Sequence, residues 1–97
     1  MTVHPVPVPR GVGLAEVERL LRRVAAEHGA AVVRRETGTR GPLGVEWHVR
    51  TADPDAGVLV VVHAPGRLLV EAHDPLGRWA MPRAGRFATR LADVLDV

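Results

Sequence analysis

The sequence predicts a single α+β domain in which two helices pack on a short antiparallel sheet. Three observations predict it. Apolar residues recur at helical spacing near both ends of the chain. Between them the spacing changes to two. The segments of period two are short and separated by Gly- and Pro-bearing turns, as in a meander. At 97 residues the chain has room for one core and not for two. The expected order is α-β-β-β-β-α, a four-stranded antiparallel meander packed with two helices, with residues 13–97 as the domain and 1–12 as an extended Pro-rich N-terminal arm.

In that arm TVHPVPVPR alternates Pro with Val. Each Pro fixes its own φ and biases the preceding residue towards extended backbone, so a loose or edge-draped tail is expected. Residues 13–28, GLAEVERLLRRVAAEH, read as an amphipathic helix with Leu14, Val17, Leu21, Val24, Ala25 and His28 on one face. Gly29 suits a left-handed terminator, and His28 at the helix C-terminus is expected to be held as a cation.

Strand character follows in AAVVRRET (30–37), whose Arg34-Arg35-Glu36 run suits an exposed edge. After the glycine-rich connection GTRGPLG, VEWHVRT sets Val45, Trp47 and Val49 on one side and Glu46, His48 and Arg50 on the other. The turn ADPDAG leads to VLVVVH (58–63) and LLVEAHD (68–74), a hairpin closed by Pro65-Gly66. The turn DPLG follows, and Arg78-Trp79-Ala80 leaves room for a short fifth extended piece. A helix is expected from Pro82 to about Val94, with Ala84, Phe87, Ala88, Leu91, Val94 and Leu95 as its apolar stripe.

Composition narrows the function classes. Cys is absent, which excludes disulfides, thiolate metal ligands and thiol nucleophiles. Ser is absent too, and the threonines, Thr2, Thr37, Thr39, Thr51 and Thr89, have no adjacent base to activate them. Lys, Asn, Gln, Ile and Tyr are missing and all 13 basic residues are Arg, a pattern that GC-rich coding explains. The net charge of +2 is spread thinly, so the high isoelectric point reflects the lack of groups titrating between His and Arg rather than a basic patch. No apolar run is long enough to span a bilayer and no secretory signal is visible, so a cytoplasmic location is expected.

The five successive apolar residues Val58-Leu59-Val60-Val61-Val62 imply a strand kept from water on both faces. If both helices share one face, an apolar sheet surface is left over, and such surfaces mark interfaces. The leading expectation is a non-catalytic interaction or regulatory module, acting as a homodimer or with a protein partner. Val58, Val60, Val62, Arg78 and Trp79 are its candidate contact residues. A nucleic-acid-binding domain using Arg34, Arg35, Arg40, Arg83, Arg86 and Arg90 is the alternative, although stacking aromatics are scarce. A small lyase- or isomerase-type enzyme built on His48, His63, His73 and Glu46 is the third reading, open only if strand register brings the histidines together. Neither a cofactor nor a metal site is expected, and whether the chain is an enzyme stays open, leaning against.

Two stretches of pattern resemble known families. VVVHAPGRLLVEAHDPLGRWAMP (60–82) resembles the strand–turn–strand–Asp segment of histidine-kinase-type ATP-binding domains in anti-sigma regulators, in which the Asp, here Asp74, holds adenine. The Asn-bearing helix of that family has no counterpart, the chain contains no Asn, and no residue is carried over. In outline the elements are also similar to double-stranded-RNA-binding domains, without the Lys-rich start of their second helix.

Overall fold

A computed structural model describes residues 3–38, 41 and 44–96. Five strands and two helices follow in the order β1 (Val3–Pro7), α1 (Leu14–Glu27), β2 (Ala31–Thr37), β3 (Val45–Arg50), β4 (Val58–Ala64), β5 (Arg67–His73) and α2 (Ala80–Leu95). All five strands join one antiparallel sheet in the order β1-β5-β4-β3-β2. Strands β2 to β5 form the expected meander, and α1 carries the chain from one sheet edge to the other.

The strand count corrects the four-stranded expectation. The fifth strand is the Pro-rich arm, not residues 78–80, which lead directly into α2. Val3–Pro7 pairs with β5, with Val6 opposite Leu68 and Pro5 opposite Leu69. Val8 N–H donates to the Gly66 carbonyl at 3.0 Å, so by alternation Val6 and His4 also turn their N–H groups towards β5. Pro5 and Pro7 therefore face outward, where an edge strand has no neighbour to bond. The prolines cost no ladder bond and leave the edge unable to recruit another strand. Val6 itself is buried in the core.

Both helices cover the same sheet face. Trp47, Val49, Leu59, Val61, Leu68, Val70 and Ala72 point towards them and form one cluster with Val17, Leu21, Val24, Phe87 and Leu91. Helix α1 packs beside β2 and α2 over β1, β5 and β4. The Trp47 indole N–H donates to Glu18 Oε1 at 2.7 Å, and Arg35 reaches the same carboxylate at 2.9 Å. Strand β2 is an edge, as its charge run suggested, and its register shifts between Val32 and Arg34, leaving Val33 exposed.

Helix α1 ends as Gly29 implied. Gly29 has φ +71°, its N–H donates to the Ala26 carbonyl, and Ala30 N–H donates to that of Ala25. His28 departs from expectation. Its ring lies 5.3 Å from that of Phe87, and burial, with Arg83 and then Arg86 nearby, outweighs Glu27 and lowers its pKa. The imidazole is thus biased towards neutrality, because lost hydration and two guanidinium groups exceed the attraction of the helix end. Helix α2 starts two residues before Pro82, which still falls in the first turn, where its missing N–H costs nothing.

Candidate functional site

The face without helices is where the sequence-derived candidates converge. Period two turns Glu46, His48 and Arg50 of β3, Val58, Val60 and Val62 of β4, and Leu69, Glu71 and His73 of β5 to this side. Register aligns them in rows: Glu36–Glu46–Val62–Leu69–Pro5 and Arg34–His48–Val60–Glu71–Val3.

Along β3 and β5 the histidine on this face meets the glutamate two residues before it. His48 Nε2 lies 2.9 Å from Glu46 Oε2, and His73 Nε2 lies 3.3 Å from Glu71 Oε1. Both glutamates are buried, at 8% and 4% exposure, although no helix covers them. His63 does not join. The Pro65-Gly66 turn pairs Ala64 with Arg67 and His63 with Leu68, which sends His63 to the helix face. The convergence of three imidazoles is therefore corrected to two, on strands separated by β4.

Glu36 was missed as a site residue. It stands directly opposite Glu46, and Glu36, Glu46 and His48 each offer a donor atom within 4.8 Å of the others. The clue was available: an acid on an edge strand and an acid–x–His on the next strand share a face whenever the hairpin between them is in register. Arg34 forms an ion pair with Glu36.

The valines are better covered than the five-residue run suggested. Val60 and Val62 are 5% and 4% exposed within one chain, while Val58 is half-buried. Their rows flank them with Glu46, His48, Glu71 and Leu69, so long neighbouring side chains shield a central strand without a second layer. Val60 and Val62 consequently have little surface left to offer a partner. Among the described strand residues the accessible apolar positions on this side are Val3, Pro5, Pro7, Val58 and Leu69.

Of the other contact candidates, Arg78 is exposed in the turn before α2, whereas Trp79 is 8% exposed and belongs to the core. Trp79 is drawn inward by Asp74, whose Oδ2 accepts from the backbone N–H groups of Trp79 at 3.1 Å and Met81 at 3.0 Å. Burial pushes the Asp74 pKa up, but the N–H groups of Met81, Arg78, Trp79 and Gly77 outweigh it and hold the carboxyl below its ordinary range. Asp74 is thereby committed to the start of α2. Beside it, at one end of the helix-free face, Arg50, Val58, His73 and Leu76 line a shallow cavity of about 230 Å³.

The described arginines of the nucleic-acid alternative fall into separate groups, with Arg83, Arg86 and Arg90 together at helical spacing on α2. Arg34 lies on the helix-free face, Arg35 reaches to Glu18 on the helix side, and Arg90 on α2 holds Glu27 at 2.9 and 3.1 Å. Arg83 and Arg86 flank His28. Arg40, like Thr2 and Thr39, falls outside the described residues, as does most of the glycine-rich connection. Among the described residues no helix is long and apolar enough to cross a membrane. Comparison with protein-family models, curated proteins and solved structures finds no match.

Proposed function

We propose that the protein is a non-catalytic interaction module whose helix-free sheet face associates with a second copy of the chain. The observation that carries this reading is the placement of both helices on one face, which leaves the opposite face of a five-stranded sheet without a covering layer. Face contact is favoured over edge contact. Outward prolines block β1, and a bulge with flanking arginines disfavours pairing at β2.

Charge supports a second copy as the occupant. The face carries Glu36, Glu46 and Glu71 together with Arg34, Arg50, His48 and His73, so a two-fold related copy can set acids against bases. A polyanion would meet the carboxylates of this face as like charges, so this face favours a second copy over a nucleic acid. The enzyme alternative loses His63 to the other face.

Light scattering at increasing protein concentration, on the natural chain and on Leu69→Glu, tests the reading. The natural chain is expected to move towards the dimer mass, and the variant to stay at the monomer mass with an unchanged circular dichroism spectrum. A natural chain that stays monomeric at high micromolar concentration overturns it.

A further inference from the structure

We propose that Arg83 and Arg86 of α2, together with His28 at the end of α1, bind a single phosphate-class oxyanion on the helix-bearing side of the domain. Their juxtaposition comes from the packing of the two helices. The His28 ring lies 5.3 Å from that of Phe87, which is fully buried, so the imidazole is held against the stretch of α2 that carries the two arginines. Arg83 and Arg86 stand one helical turn apart, which sets both on one side of the helix, and both act electrostatically on the His28 ring. His28 and Arg83 are half-buried and Arg86 is exposed, so the group opens to solvent. It lies on the side opposite the sheet face assigned to self-association and does not depend on that reading.

An unmatched positive charge sets this group apart from ordinary surface arginines. The other helix arginines each answer a carboxylate: Arg19 that of Glu16, Arg22 that of Glu18, and Arg23 and Arg90 that of Glu27. Among the described residues Arg83 and Arg86 have no such partner, and Glu27 is already held by Arg90 at 2.9 and 3.1 Å. No acid stands in the first turn of α2. The imidazole registers the imbalance: burial first, then Arg83 and Arg86, hold its pKa down against the pull of Glu27. An oxyanion seated between the guanidinium groups removes that repulsion, so His28 takes up a proton as the ligand binds and donates to it. Guanidinium matches the oxygens of a phosphate in geometry as well as in charge. Three donors gathered at one point suit one compact group rather than a line of phosphates. Trp47, Trp79 and Phe87 are all buried, which leaves none of them to stack a base.

Calorimetric titration of sulfate into the full chain at constant ionic strength tests the proposal, with Arg83→Gln, Arg86→Gln, His28→Gln and Arg34→Gln alongside and folding of each checked by circular dichroism. Sulfate keeps its double charge through the range in which imidazole titrates, so a pH dependence belongs to the protein. The expected result is one ion per chain, displaced by inorganic phosphate. It should bind at least about fivefold more weakly in Arg83→Gln and in Arg86→Gln, and equally well in Arg34→Gln on the opposite face. Affinity in the natural chain should rise at least about threefold from about pH 7.5 to about pH 5.5, and in His28→Gln it should stay level. A folded natural chain that binds no sulfate, affinity that survives in both arginine variants of α2, affinity level with pH in the natural chain, or a DNA duplex whose binding leans on Arg34 as much as on Arg83 would overturn it.

Discussion

The buried indole N–H of Trp47, in the third strand, donates at 2.7 Å to the carboxylate of Glu18, near the start of the first helix. The same carboxylate holds Arg35 at 2.9 Å, so one exposed-side acid ties α1 to both β2 and β3. Glu18→Ala leaves the indole donor without its acceptor, and a buried donor so stranded costs about 1–3 kcal/mol. Glu18→Gln keeps an acceptor and should lose clearly less. Urea titrations followed by tryptophan fluorescence compare the two, and equal losses would contradict the hydrogen bond's role.

Gly57 supports the fold through what it lacks. Its φ is +86°, and a Cβ there would lie 2.7 Å from the Asp74 Cβ and 2.9 Å from the His73 carbonyl oxygen. Gly57→Ala combines a left-handed backbone with a collision against a buried residue, for a loss of roughly 2–4 kcal/mol. Thermal melting reads it. Gly66→Ala, also at positive φ but with open space around it, should lose less.

Asp74 anchors the start of α2 as a carboxylate. Its folded-state pKa is depressed, so its contribution is complete above the unfolded-state value near 4 and disappears as pH falls through the lower, folded value. Asp74→Ala should cost about 1–2 kcal/mol at neutral pH, the usual range for a lost helix-start acceptor. The gap between natural chain and variant should shrink in acid. Denaturant midpoints at pH 7 and pH 3 measure both.

His28 adds a second pH window. Its folded-state pKa lies below the ordinary value, so the unfolded chain binds the proton more readily and stability rises with pH through the region just below 6.5. The contribution is present above about pH 6.5 and is lost as pH falls through the depressed value. His28→Gln should flatten the stability profile between about pH 5.5 and 7, where carboxylates contribute little. An unchanged slope would show that the ring beside Phe87, Arg83 and Arg86 is not the source.

Much of this architecture can be read from particular residues. The alternation of Val45, Trp47 and Val49 against Glu46, His48 and Arg50 survives intact, and the Pro65-Gly66 turn already implies that His63 and His73 point to opposite faces. The arm was harder to read, because Pro argues against a strand in general. The signal lay in the spacing: prolines at every second position leave the intervening N–H groups free to pair on one side. Helical amphipathicity states that a helix has an apolar stripe but not which side of a sheet receives it, so the shared face of α1 and α2 was open. For the same reason the run Val58–Val62 was ambiguous. Burial of alternate valines by Glu46, His48, Glu71 and Leu69 depends on cross-strand neighbours that only the register supplies. Glu36 went unnoticed as part of a site because its meaning comes from Glu46, across a connection that breaks the periodic pattern.

Methyl resonances of valine and leucine, followed by nuclear magnetic resonance on dilution from millimolar to low micromolar protein, test the helix-free face most directly. Shifts confined to Val3, Val58 and Leu69, with Val49 and Val61 beneath the helices unmoved, are the result the account predicts. Spectra that stay constant across the whole dilution, or shifts centred instead on Val33 at the β2 edge, would contradict it.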